Sequence, residues 1–146
     1  AIYCGPGFTT WSPKSLEKAG EQFVGGSEEA VIRASQELQK LGWKVTVYAD
    51  PGEDAGIHEG VTWEPYYKFN RRDTFNIVIA WRNVGFVDMD CKAKKTFIWN
   101  HYIQNEQDWT SERVGKITKA FFLSNWHREN VKSLPEDKVL LTSNGI

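Results

Sequence analysis

From Ser27 onward the apolar positions fall at helical spacing. Val31, Ala34, Leu38 and Leu41 recur at intervals of three, four and three, and Gly42 closes the run. A helix opening at Ser27 and ending before Gly42 is therefore predicted. On either side the pattern changes. Residues 2–4 (Ile-Tyr-Cys) read as a short buried strand closed by the turn Gly5-Pro6-Gly7. Residues 8–24 read as a long loop holding Trp11, Ser12 and Pro13, with a short turn at 15–18. "KVTVYAD" (44–50) and "GVTWEPY" (60–66) are strands flanking a loop rich in glycine and acid.

The two longest apolar runs, "TFNIVIAWR" (74–82) and "KKTFIWNH" (94–101), have the near-continuous character of strands buried on both faces. Residues 83–93 between them are a short helix or loop. Beyond them the chain reads as a helix over 110–120, a strand over 120–125, a short helix before Pro135 and a final strand, "KVLLTSN". Strands alternating with helices through short turns predict an α/β fold, Rossmann-like and doubly wound, with a mainly parallel sheet in three layers. At 146 residues this is one domain, 1–146.

In such sheets ligands lie outside the carboxyl ends of the strands. The residues there are Gly5 to Gly7, Asp50, Trp81-Arg82, Asn100-His101 and Ser124 to His127, joined by Gly25, Gly26 and Ser27 at the helix start. Ser27 suits an N-cap, and Glu28 and Glu29 suit the first turn of the helix dipole. Capping does not explain the two glycines ahead of the serine. They would let an oxygen-rich group approach the open amides of the helix, which makes Gly25, Gly26 and Ser27 a candidate phosphate site.

His101 follows a buried strand on this rim, a good address for a functional histidine, whereas His127 and His58 look like surface residues. Arg82 is suited either to a phosphate or acidic acceptor or to a carboxylate neighbour. Among seven tryptophans, Trp43 and Trp99 read as packing, while Trp11, Trp81 and Trp109 fall where a ring could stack on a sugar.

Composition removes several functions. Eighteen basic residues against nineteen acidic ones argue against bulk nucleic-acid binding. Cys4 and Cys91 form neither a metal motif nor a disulfide framework, and a reducing cytoplasm is the simplest compartment. The histidines lack metal spacing, so no metal and no cofactor is expected. No apolar run reaches the roughly 20 residues of a membrane span. The dinucleotide fingerprint fails, because Gly5-x-Gly7 is followed by Thr10 where a third glycine belongs and by a long loop where the helix belongs. That disfavours nicotinamide and flavin enzymes and sugar-nucleotide epimerases. No G-x-S-x-G elbow and no P-loop are present.

Taken together, "IYCGPGFTTWSPKS…GGSEEAVIRASQELQKLGWKVTVYAD", "NIVIAWRN", "KTFIWNH", "FFLSNWHRENV" and "LPEDKVLLTSNGI" resemble the N-terminal domain of GT-B glycosyltransferases of the family 4 type, over nearly the whole chain. The resemblance implies transfer of a sugar from a nucleotide-sugar donor to a saccharide or other hydroxyl acceptor, generally with retention, by a two-domain hexosyltransferase. It implies that Gly25 and Gly26 face the donor diphosphate and that His101 contacts the transferred sugar. Arg82 and the loop carrying Trp11, Ser12 and Lys14 would border the acceptor. It also implies a C-terminal donor-binding domain, which this chain lacks; both ends read as cut, and the fragment alone is expected to be inactive. Many relatives carry His-Asp where this chain has His101-Tyr102. Many also act on lipid-linked acceptors, compatible with peripheral membrane association, although no basic amphipathic helix marks it here. The alternative is a non-catalytic carbohydrate- or nucleotide-binding module on the same fold.

Overall fold

The computed structural model describes residues 1–18 and 24–143. The chain forms two compact units, Ala1–Phe69 and Asn70–Ile146. Both are α/β with mainly parallel strands, consistent with a Rossmann-like arrangement. The tail of the 8–24 loop at residues 19–23, and the turn-forming Asn144-Gly145, lie outside the described residues.

The first unit contains β1 (Ile2–Tyr3), α1 (Gly26–Lys40), β2 (Thr46–Ala49), β3 (Gly56–His58) and β4 (Val61–Pro65). Its strands run in the order β3-β4-β2-β1, with β1, β2 and β4 parallel. Ile2, Val47 and Trp63 stand in register across β1, β2 and β4, and all three are fully buried. Helix α1, whose Val31 and Ile32 are also fully buried, contacts β4. The helix closes in a Schellman motif: the Trp43 amide donates to the Leu38 carbonyl at 3.1 Å and the Gly42 amide to Gln39 at 2.9 Å. Gly42 adopts φ +94°, which is why a glycine stands there.

Three expectations change in this unit. The buried face of α1 is Ala30, Val31, Ile32 and Ser35, not a stripe reaching Leu41; Leu41 caps the helix and is 77% exposed. Trp43, expected to pack, is the exposed residue that completes the Schellman turn. The segment before residue 60, read as loop, contains β3, which pairs antiparallel with β4 through His58↔Val61. The two-residue turn, Glu59-Gly60, holds both residues at positive φ (49° and 79°), the geometry that favours Asn-Gly or Asp-Gly. Glutamate in the first of those places hides the hairpin from pattern reading.

The second unit contains β5 (Thr74–Trp81), β6 (Lys92–Trp99), α2 (Ser111–Lys116), β7 (Lys119–Phe122), α3 (Asn125–Arg128) and β8 (Val139–Leu141). All four strands are parallel, in the order β5-β6-β7-β8. Ala80, Ile98 and Ala120 form a buried row in register, joined by Val78 and Phe122. Within the stretch read as a short helix or loop, residues 84–89 form a 3₁₀ helix, capped by Asn83 and ended by Asp90 in the left-handed region. Strands β5 and β6 are not sealed on both faces along their length: Val78 and Ala80 are buried, Ile77 and Ile79 half-buried, and the first residues exposed. The helix expected over 110–120 is shorter, because Ile117 takes an extended backbone and leads into β7. Lys138 caps its last turn, donating to the Val114 and Ile117 carbonyls at 2.7 and 2.9 Å.

Candidate functional site

The carboxyl ends of β5, β6 and β7 bring Trp81, Arg82, Asn100, His101 and the start of α3 to one edge of the second unit. Strand β5 ends in a residue under strain, since Arg82 adopts φ +68°, unfavourable for any side chain with a Cβ. Its amide donates to the Trp99 carbonyl at 2.8 Å, which extends the ladder by one bond. Its guanidinium carbon lies 3.3 Å from the Trp81 ring centroid and 4.2 Å from that of Tyr102, so the cation is sandwiched between two rings. The His101 ring lies 4.7 Å from Trp99 and 6.0 Å from Trp81.

Between these residues sits Asn100. Its backbone amide continues the β6–β7 ladder to Phe121 (3.1 Å), but its side chain is 0% exposed, and neither the amide oxygen nor the amide nitrogen has a hydrogen-bond partner among the described residues. A buried carboxamide costs about 1–3 kcal/mol for each group left unpaired. Such a group at the carboxyl end of a parallel strand calls for an explanation that packing among the described residues does not supply.

Two straps hold the loop that leaves β6. His127, expected to be a surface residue, is buried with both ring nitrogens engaged. Its Nδ1 accepts from the Leu123 amide at 3.3 Å, which places the proton on Nε2, and Nε2–H donates to the Tyr102 carbonyl at 2.5 Å. The Glu106 carboxylate accepts from the amides of Lys132 and Ser133 at 2.8 and 2.7 Å, and these bonds hold its carboxyl below the usual glutamate range.

In the first unit, Trp11 and Ser12 are enclosed by the chain's own contacts. Trp11 is buried edge-on against Trp63 at 5.5 Å. The Ser12 hydroxyl accepts from the Lys14 amide (3.2 Å) and donates to Asp54 (2.8 Å), and the Lys14 ammonium lies 3.4 Å from the same carboxylate. Of the three acceptor contacts expected in this unit only Lys14 is exposed; the other two fix the loop.

The Ser12 hydroxyl, and after it Lys14, hold the Asp54 carboxyl below its ordinary 3.8. A carboxyl depressed in the folded state stabilises above its unfolded value, and that stabilisation is lost as pH falls through the lower, folded value. Asp54→Asn is therefore expected to lower stability at neutral pH. The gap to the parent should begin to narrow as acid unfolding is carried below pH 3.8 and close once the pH is below the lower, folded value. A gap that stays constant down to the acid limit would mean the carboxylate's charge is not what holds the loop.

The helix start differs from expectation as well. Gly25, not Ser27, is the N-cap of α1, with no side-chain cap bond, and Gly26 is the first helical residue. Ser27 lies inside the first turn and donates its hydroxyl to Glu28 at 3.0 Å. A Cβ on Gly25 would meet the Glu28 carboxylate at 2.5 Å, whereas one on Gly26 would meet nothing within 4 Å. The chain's own carboxylate thus folds over Gly25, while Gly26 faces open space.

Of the two tryptophans expected to pack, Trp99 is buried as expected and Trp43 is exposed. Trp11, Trp81 and Trp109, the proposed stacking rings, are all buried, and Trp126 is 64% exposed. Trp126 and Asn100 both belong to the strand-end set read from the sequence, but nothing in their local pattern singled them out. Among the described residues no group of three or more His, Cys, Asp or Glu side chains could hold a metal ion. No helix there is long and apolar enough to cross a membrane. Fold and site together define an α/β protein with its polar, partly strained residues at the carboxyl ends of parallel strands. No protein-family model, no curated protein and no solved structure matches the chain.

Proposed function

We propose that the chain is the acceptor-side, N-terminal half of a GT-B glycosyltransferase of the family 4 type: a doubly wound, three-layer, Rossmann-like domain that works with a separate donor-binding domain. The observation that carries this reading is the strand-end cluster of the second unit. There the orphaned amide of Asn100 stands beside His101 and next to an arginine held in strain between two rings. An amide that both donates and accepts suits a hydroxylated ligand, and a guanidinium fixed in orientation suits a phosphate or carboxylate on that ligand.

In this reading His101 contacts the transferred sugar, and Arg82 and Lys14 border the acceptor. Retention follows if the acceptor oxygen bonds to the anomeric carbon on the face from which the diphosphate leaves; the departing phosphate then takes the acceptor proton, and the protein supplies position and charge stabilisation rather than a dedicated base. Gly26, Gly25 and Ser27 form the donor-phosphate wall, with Gly26 the open position and Glu28 the group a diphosphate must displace from Gly25. That displacement favours a second reading, a non-catalytic carbohydrate-binding module, in which Glu28 stays in place and no diphosphate binds.

Titration of UDP and GDP against the protein and against Gly26→Val separates the two. The valine fits the fold, since nothing lies within 4 Å of its Cβ, but it stands in the approach to the amides. About a tenfold or greater loss of diphosphate affinity is expected, the equivalent of roughly one lost phosphate contact. Equal binding by both proteins, or none by either, takes the glycine pair out of the donor site.

A further inference from the structure

The strand-end site has an exposed aromatic border. Tyr102 is 54%, Ile103 62% and Trp126 64% exposed, whereas Trp81, Trp99 and Trp109 in the same unit are buried. The exposed residues lie on two segments far apart in sequence, and the fold ties those segments together. His127, the residue after Trp126, donates to the Tyr102 carbonyl at 2.5 Å, and Glu106 grips the amides of Lys132 and Ser133 beyond α3. One hydrogen bond thus ties the Tyr102 backbone to the residue after Trp126, and two more hold the following parts of the same two segments together. Keeping two large rings in water on a doubly strapped edge forgoes their burial, which would stabilise by about 1.5–3 kcal/mol for a large apolar side chain.

We infer that Trp126 and Tyr102 form a stacking platform for a pyranose ring, so that the acceptor of the strand-end site is a saccharide; this rests on the reading of that site given above. A pyranose offers an apolar C–H face to an aromatic ring and a girdle of hydroxyls to amides and imidazoles. Here both complements occur together: the exposed Trp126 ring and the Tyr102 ring, which carries the Arg82 guanidinium on one face, then His101 just before Tyr102, with the buried, unpartnered carboxamide of Asn100 behind it. The charges nearby in sequence point away from an anionic lipid surface. Glu106, Asp108 and Glu129 are acidic against the basic Arg128 and Lys132, and Arg128 is engaged with Glu136 at 2.7 Å and with the Val131 and Leu134 carbonyls.

The test is a titration with maltose, cellobiose and chitobiose followed by the indole N–H resonances in NMR. The resonance missing from Trp126→Ala identifies Trp126. At least one disaccharide is expected to shift it, and Trp126→Ala to weaken that binding about tenfold, roughly one stacking contact. Trp126→Phe should recover most of the affinity. Phe8→Ala, which removes another fully exposed ring, should change nothing. Because Trp126 is exposed, its replacement leaves the core intact. Absence of any shift at Trp126, full affinity in Trp126→Ala, or an equal shift with glycerol would each overturn the platform. Diphosphate binding without disaccharide binding would remove the platform and leave the transferase reading standing. Disaccharide binding without diphosphate binding would do the opposite.

Discussion

Replacing Asn100 with leucine is expected to make the protein more stable, by about 1–3 kcal/mol. Most substitutions of a fully buried residue do the reverse. The reason lies in what the asparagine gives up on folding. In the unfolded chain its amide is hydrogen-bonded to water; in the folded chain the side chain is sealed from solvent and neither polar atom finds a partner among the described residues. Leucine keeps the branching at Cγ and carries no polar atom, and the backbone bond from residue 100 to Phe121 is untouched. Asn100→Ala serves as a check against overpacking. It is expected to cost far less than the about 2–5 kcal/mol of truncating a buried leucine, since losing the orphaned amide offsets the cavity. Urea unfolding reads both variants as shifts in midpoint at constant slope. A fall in stability with leucine beyond that of alanine would show that the amide is engaged in the folded protein. In the transferase reading the same variant loses saccharide affinity, so stability and function move in opposite directions.

Trp63→Ala is expected to destabilise by about 3–5 kcal/mol, the range for truncating a large buried aromatic. Trp63 is completely buried on β4, in register with Val47 and Ile2, and its ring receives the edge of Trp11. Removing it opens a cavity under the loop that carries Ser12 and Lys14. Its indole nitrogen has no hydrogen-bond partner among the described residues, so Trp63→Phe should lose only volume and cost well under half as much. Denaturant midpoints for the two variants test this directly. Equal losses would mean the indole N–H contributes a bond.

The carboxyl ends of the strands were readable because a strand's end is a local change of pattern, and Arg82, Asn100 and His101 all stand there. Which of them is strained, sandwiched or orphaned was not readable, because each property is conferred by a segment distant in sequence. Tyr102 covers Arg82 from the next strand's exit. His127 reads as a surface residue because it stands at a polar helix start, yet its ring bonds to the Leu123 amide and the Tyr102 carbonyl make it an internal clamp.

The sequence by itself determined the class of the protein. Short apolar segments bounded by turn residues and near-continuous apolar runs set the main strands, the period of three and four set α1, and Gly42 set its end. These are local preferences, expressed wherever such a segment can bury one side. Tertiary structure decided the rest. It moved the cap of α1 from Ser27 to Gly25 and folded Glu28 over it. It built the β3–β4 hairpin around a Glu-Gly turn and buried the three tryptophans that looked available while leaving Trp126 in water. Exposure of a ring, occupancy of a helix end and satisfaction of an amide are sums over neighbours from the whole chain. A window of sequence contains only one side of each such contact.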